Sequence, residues 1–383
     1  MLDALTRNAV DVLPEGALEA KLGLGRPLRV KLGIDVTAKH VTIGNGIPLQ
    51  KLRAFQDAGH VAVLIIGDYT TRIGDPSGRS SERPILSDAE IDANAKRFFE
   101  QASVIIDTSP ERLEIRLNGE WLGKLTFADV VRLTRTMTVA RLLERDDFAK
   151  RYAGQQPISV SELLYPLMQA YDSVAIEADV EVGGTDQLYN LLAGREVMQA
   201  YGLEPQVVLT LPLLLAWDGE KMSASKGNYI GLTEDPKEQF GKTMRIPDAM
   251  LADWYRLLWE REPPTSIEPM EAKLALARFI VARSHGEETA RDAEDHFTRV
   301  VRRHEAPHAM LDVALPDGDP VHLPALLVSA LGVASTSEAR RLIGQGGVKL
   351  DGATVAELDV PRARLAGAVL QVGKLRFARL TEA

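Results

Sequence analysis

The chain has 383 residues, of which 45% are apolar and 26% charged, and it carries a net charge of −9 at pH 7. That length exceeds one ordinary core and predicts two or three domains, and the composition is that of a globular protein. The negative balance excludes a generic polyanion binder, and the absence of cysteine excludes disulfides, thiolate zinc sites and cysteine nucleophiles.

Residues 28–34 alternate and then meet a turn, which predicts a strand. Residues 47–58 carry Ile47, Leu52 and Phe55 at roughly helical spacing. Val61 to Ile66 is a continuous apolar run, as in a strand buried on both faces of a parallel sheet. Strand, helix, strand is a βαβ unit, the opening of a nucleotide-binding α/β domain. Roughly 85–160 is charged and mostly helical in pattern, so it reads as an insertion between the two halves of the sheet domain. Another buried strand is predicted at 206–214. From 235 to about 305 the pattern is amphipathic helix, with Trp254, Leu257 and Leu258 at i, i+3 and i+4.

Four prolines in 306–324 place a linker at 306–323. The last module, 324–383, opens with an apolar helix. A second helix follows with Ser337 as its expected N-cap, then short strands around the turn Leu350-Asp351-Gly352. This module holds eight Lys and Arg against five Asp and Glu, a net +3 that leaves −12 for the rest, and so suggests a local footprint for an anionic partner. No apolar run approaches the ~20 residues of a membrane-spanning helix, and Met1-Leu2-Asp3-Ala4 lacks a basic-then-apolar start, so a cytoplasmic protein is expected.

Several short segments carry chemistry. Thr42-Ile43-Gly44-Asn45 falls where the first strand feeds the first helix. A helix N-terminus suits phosphate oxygens, Gly44 permits close backbone approach, and Thr42 and Asn45 can donate hydrogen bonds. Gly74-Asp75-Pro76-Ser77-Gly78 follows the second strand and puts the Asp75 carboxylate on a tight turn, able to pair with an ammonium group. Arg79 and Arg83 follow on a polar stretch and could close on phosphates as charge develops.

Tyr165, Gln169 and Asp172 share one face of a largely apolar helix, and buried polar groups need partners, for which a bound ligand is a good candidate. Gly183-Gly184-Thr185-Asp186-Gln187 reads as a glycine turn that brings Asp186 and Gln187 close to a small ligand, with Asp186 able to accept from ribose hydroxyls. Lys221-Met222-Ser223-Ala224-Ser225, with Lys226 beyond it, is a flexible lysine loop suited to a triphosphate. Taken singly, these segments also fit an N-cap turn, a surface turn and a solvated polar loop. Their order and separation carry the functional reading. The seven histidines show no metal-ligand spacing.

Together the runs Lys31 to Thr37, Ile73 to Gly78, Leu164 to Ala175, Val182 to Gln187 and Glu220 to Tyr229 resemble the bacterial tyrosyl-tRNA synthetases, class I aminoacyl-tRNA synthetases, over nearly the whole chain. Glu338 to Ile343 and Gly347 to Gly352 resemble an S4 RNA-binding module. Both nucleotide signatures are variants: the family's first has histidines where Thr42 and Asn45 stand, and its second has a lysine where Ala224 stands.

The resemblance implies an α/β fold with a Rossmann-like parallel-sheet catalytic domain at 1–234, containing the helical insertion at 85–160 as its dimerisation region. A helical anticodon-side domain would occupy 235–305, and a small α+β S4-like domain 324–383. It implies that L-tyrosine is activated with ATP and Mg2+ to tyrosyl-adenylate and transferred to the 3′ end of tRNA(Tyr) by a homodimer with no membrane association.

By resemblance, Asp172 would accept from the substrate phenol. Tyr165, Gln169 and Asp75 would hold the α-amino group, and Gln187 would face the carboxylate. Thr37, Thr42, Asn45, Lys221 and, on their loop, Arg79 and Arg83 would be catalytic. Gly33, Asp35, Gly44, Gly184, Asp186, Ser223 and Lys226 would bind ATP, and Arg340, Arg341 and Lys349 would bind RNA. The altered signatures leave two alternatives: a weakened synthetase paralogue that binds tyrosine or RNA as a regulator, or an enzyme activating a tyrosine analogue.

Overall fold

The computed structural model describes residues 1–75, 86–264, 266–303, 305–307, 310–373 and 376–382. It divides into two compact units, one of residues 1–234 with 242–276 and the other of 235–241 with 277–383.

The first unit is built on a six-stranded sheet. Its strands are β1 (Asp11–Leu13), β2 (Arg29–Ile34), β3 (Val61–Ile66), β4 (Leu113–Leu117), β5 (Val180–Gly184) and β6 (Val207–Leu211), in the order β1-β6-β5-β2-β3-β4. All neighbours are parallel except β1, which runs antiparallel to β6. The predicted strands at 28–34 and 61–66 are β2 and β3. The strand predicted at 206–214 ends at Leu211, because Pro212 has no N–H to continue the ladder. β4 lies inside the stretch read as a helical insertion. It is an edge strand in which Glu114 and Arg116 are half-buried and Ile115 and Leu117 exposed, so its mixed Leu-Glu-Ile-Arg-Leu run is a weaker signal than the apolar run of β3.

Helix α1 (Gly46–Asp57) buries Ile47, Leu52 and Phe55, as their spacing predicted, and Leu49 with them. Helices α2 (Asp88–Ala102) and α3 (Val160–Ile176) each begin at a capping box, Ser87 with Glu90 and Ser159 with Glu162. Helix α4 (Leu188–Ala200) packs along α3 through Leu167, Ala170, Ala193 and Val197. In α5 (Leu251–Trp259), Trp254, Leu257 and Leu258 are buried.

The C-terminal part of the second unit packs helices α6 (Leu323–Leu331) and α7 (Thr336–Gly344) with short strands: β7 (Leu311–Ala314), β8 (Val321–His322), β9 (Val348–Leu350), β10 (Ala353–Thr354), β11 (Asp359–Val360), β12 (Val369–Val372) and β13 (Arg376–Thr381). Five form a sheet in the order β10-β9-β12-β13-β7, and β8 pairs with β11. Leu323, Leu327, Val348, Leu370 and Leu380 lie in its core.

Two expectations differ here. β7 and β8 fall in the proline-bearing stretch read as a linker; Pro316 and Pro320 lie between the strands rather than inside them. The N-cap of α7 is Ser335, not Ser337. The Ser335 hydroxyl accepts from the Glu338 N–H at 3.2 Å, and only the residue three before Glu338 can make that cap. Among the described residues, no helix is long and apolar enough to cross a membrane.

Candidate active site

In the first unit the chain proceeds from β2 to β3 on one side, and β5 lies on the other. The crevice at the carboxyl ends of β2 and β5 is therefore the topological switch point where open α/β sheets bind ligands. A cavity of about 310 Å³ opens there. Gly33, Ile34 and Asp35 leave β2 into it, Gly67 follows β3, and Gly183 and Gly184 end β5. Glycine is required at Gly67 and Gly184. A Cβ on Gly67 would stand 2.3 Å from both Asp35 Oδ1 and Thr70 Oγ1, and one on Gly184 2.6 Å from Asp186 Oδ1. At Gly33 a Cβ would meet open space.

One end of the cavity is closed by α3. Asp172 is 3% exposed; its Oδ1 accepts from Trp121 Nε1 at 2.8 Å and its Oδ2 from Asn118 Nδ2 at 3.3 Å. Burial pushes this carboxyl up to about 7, opposed by the Lys31 charge and the two donated hydrogen bonds. Asn118 also donates to Thr70 Oγ1 at 3.1 Å. Thr70 donates to Asp35 Oδ1 at 2.7 Å, and the Tyr165 hydroxyl donates to Asp35 Oδ2 at 2.9 Å.

Beneath this end, Lys31 and Glu181 sit in register on β2 and β5, both essentially unexposed, with Lys31 Nζ 2.9 Å from Glu181 Oε1. Lys31 also donates to the Gln169 carbonyl at 2.8 Å and to Ser173 Oγ at 2.7 Å, and the Gln169 amide donates to Glu181 at 3.3 Å. On the cavity's flank, Gln187 Nε2 donates to Asp75 Oδ2 at 2.8 Å.

The opposite end holds the two signature segments. Thr42 Oγ1 donates to Asn45 Oδ1 at 2.9 Å while accepting from the Asn45 N–H at 3.2 Å, so these two residues close a turn on each other just before α1. A backbone bond from Ile43 to the Ile230 carbonyl, at 2.9 Å, ties this turn to the segment after the Lys221 loop. In that loop Lys221 Nζ lies 2.5 Å from Asp186 Oδ2, half exposed. Asn228 accepts from the Ser223 N–H at 3.0 Å and donates to Asp218 at 3.0 Å, pinning the loop's base.

The cavity thus gathers Gly33, Asp35, Thr37, Thr42, Gly44, Asn45, Asp75, Tyr165, Gln169, Asp172, Gly184, Asp186, Gln187, Lys221 and Ser223. Lys226 stands outside its lining, 3.2 Å from Glu220. Arg79 and Arg83 lie outside the described residues. In the second unit Arg340 and Arg341 are exposed on α7, and Lys349 is half-buried on β9. The sequence reading missed Lys31, Thr70, Asn118, Trp121 and Glu181. A charged residue inside each of two apolar strands was a usable signal for Lys31 and Glu181. Nothing local marked Asn118 and Trp121, which reach the site from the insertion.

A switch-point crevice with a polar pocket at one end and a lysine loop at the other defines an α/β enzyme built for a small ligand and an anion. The chain belongs to the class I tRNA synthetase family whose model is described as tRNA synthetases class I (W and Y), matched over residues 24–302. It is 48% identical to a tyrosine–tRNA ligase of Moorella thermoacetica over 99% of this chain and 95% of that protein. It is 46% identical to one of Thermotoga maritima over 98% and 96%. The fold also matches a tyrosyl-tRNA synthetase of Archaeoglobus fulgidus solved with L-tyrosine. That match has a TM-score of 0.62 at 24% identity and covers 76% of this chain and 98% of the other.

Proposed function

We propose that this protein activates L-tyrosine with ATP to tyrosyl-adenylate and transfers the tyrosyl group to the 3′ end of tRNA(Tyr). The observation that carries the reading is the buried Asp172 carboxylate at the cavity end, held by Trp121 and Asn118. A phenol O–H is a further donor matched to such an acceptor, and phenylalanine would bring none. Near-full-length identity to tyrosine–tRNA ligases supports the same substrate.

In this reading Asp75, Tyr165 and Gln169 hold the α-ammonium, and Gln187 lies beside the carboxylate. That carboxylate attacks the α-phosphorus and pyrophosphate leaves, so no covalent enzyme intermediate forms and the protein supplies position and charge. Gly33, Gly44 and Gly184 give the nucleotide backbone-close surfaces, and Asp35 and Thr37 border it. Asp186 accepts from the ribose. The Thr42–Asn45 turn leads into α1, whose N-terminus faces the phosphates, Ser223 holds the loop, Lys221 neutralises the departing pyrophosphate, and Lys226 adds a rim charge for ATP. Mg2+ enters with the ATP phosphates.

The exposed Arg340 and Arg341, with Lys349, give the C-terminal module phosphate contacts for tRNA. Exposed Phe127, Val131 and Val139 on the insertion suit a homodimer contact, and the enzyme works in the cytoplasm.

The test is ATP–pyrophosphate exchange with tyrosine, tryptophan and phenylalanine in parallel, followed by tRNA charging. Exchange with tyrosine alone is expected. A folded protein that binds tyrosine but shows no exchange would be a binding paralogue.

A further inference from the structure

A chain of hydrogen bonds runs into the cavity's flank from a buried arginine. Arg145, 6% exposed, donates from Nη1 to Asn190 Oδ1 at 3.2 Å. Asn190, 1% exposed, donates from Nδ2 to Gln187 Oε1 at 3.0 Å. Gln187 in turn donates to Asp75 Oδ2 at 2.8 Å. Arg145 is itself fixed by two bonds of 2.6 Å to Asp147 and by the Phe148 ring 4.5 Å below its guanidinium. Gly183 makes room for this arrangement, since a Cβ there would stand 3.2 Å from Gln187 Cβ.

The ends of the chain are chemically one-sided. A guanidinium can only donate and an ionised carboxylate can only accept. With a donor at one end and an acceptor at the other, a single orientation of both intervening amides satisfies every bond. Arg145 takes the Asn190 oxygen, which turns the Asn190 NH2 toward Gln187. That takes the Gln187 oxygen, which turns the Gln187 NH2 toward Asp75. The polarity is set far from the ligand and delivered to the ligand.

We propose that Asn190, oriented by Arg145, is a positioning residue for amino-acid binding: it fixes the Gln187 amide so that Asp75 is held in place to receive the substrate's α-ammonium group. The inference rests on the reading that Asp75 and Gln187 take the amino-acid end of tyrosine.

Asn190→Asp tests it. The new carboxylate still accepts from Arg145 but has no donor for Gln187. Gln187 then turns its NH2 to residue 190 and its oxygen to Asp75, where two acceptors repel. Binding is measured for tyrosine and for 3-(4-hydroxyphenyl)propionate, which keeps the phenol and carboxylate and lacks the amino group. KM values for tyrosine and ATP are measured by pyrophosphate exchange. Tyrosine binding is expected to weaken by about tenfold or more, the size of one lost bond to a charged group, while the des-amino ligand and the KM for ATP change less than about twofold. Asn190→Ser, whose hydroxyl can still donate toward Gln187, is expected to fall between parent and Asn190→Asp, and it replaces that variant where folding fails.

Equal weakening of both ligands, or no weakening of tyrosine in a folded variant, overturns the positioning role. A parent protein that neither binds nor activates tyrosine overturns the functional reading itself, and the inference with it.

Discussion

At the Asp172 end of the cavity Asp172 and Lys31 are buried and tied to several partners: Asp172 to Trp121 and Asn118, Lys31 to Glu181, Ser173 and the Gln169 carbonyl. At the Lys221 end the charges are open to solvent. Lys221 is 51% exposed against Asp186, and Lys226 is 56% exposed against Glu220. A buried, over-determined site holds its shape before the ligand arrives, which is what discrimination between similar side chains needs. An exposed ion pair is worth little and can be exchanged for a phosphate at little cost. In the proposed function the two ends divide the labour: the buried polar end reads the amino acid, and the wet end receives and releases a polyanion.

The largest effect that would break this comparison concerns Lys31. Lys31→Met leaves the buried Glu181 without its counter-charge and is expected to cost about 3–5 kcal/mol in guanidinium unfolding, with most of it recovered when Glu181→Gln is added. A single-variant cost within about 0.5 kcal/mol of parent, the range of surface substitutions, would show that the Asp172 end is not over-determined.

Next is Asp172→Asn. Loss of a bond to a charged group is worth about 1.5–3 kcal/mol, so kcat/KM for tyrosine should fall roughly 10- to 150-fold and phenylalanine should lose its disadvantage. Because burial lifts Asp172 to about 7, the acceptor is neutralised as the pH falls through that value. The tyrosine-to-phenylalanine ratio should therefore rise from pH 6 to pH 8 and then level, and be flat in Asp172→Asn. The stability linkage runs the other way. A folded-state pKa raised above the unfolded value of about 3.9 gives a contribution fully present below that value and lost as pH rises through about 7. The protonation state that reads the phenol is the one that burial disfavours, and Lys31 opposes that cost.

The same division explains what the sequence made legible. β3 and α1 were readable because their patterns are local: an unbroken apolar run, and Ile47, Leu52 and Phe55 at helical spacing. The α3 stripe of Tyr165, Gln169 and Asp172 was readable for the same reason, since a polar face on an apolar helix demands partners. Asn118 and Trp121 were not, because what makes them site residues is the fold bringing the insertion against α3. A strand such as β4, in which Glu114 and Arg116 interrupt the apolar residues, hides among charged helices. The cap of α7 shows how fine the margin is. Ser335 and Ser337 both precede a helical run, and only the spacing to Glu338 separates them.

At the exposed end, Lys221→Ala should leave stability within about 0.5 kcal/mol of parent, because a half-exposed pair contributes little. Pyrophosphate exchange should still fall roughly tenfold, through kcat and the KM for ATP, with tyrosine binding unchanged, since the lysine acts on charge that develops late. The smallest effect tests Lys226, which Glu220 holds outside the cavity lining. Lys226→Ala is expected to lower exchange by only about twofold, as a rim charge acting at long range. A loss matching that of Lys221→Ala would mean that Lys226 leaves Glu220 for the pyrophosphate and replaces the cation missing at Ala224. Glu220→Gln would then raise exchange by freeing that lysine, and the wet end would owe its function to charges that change partners during the reaction.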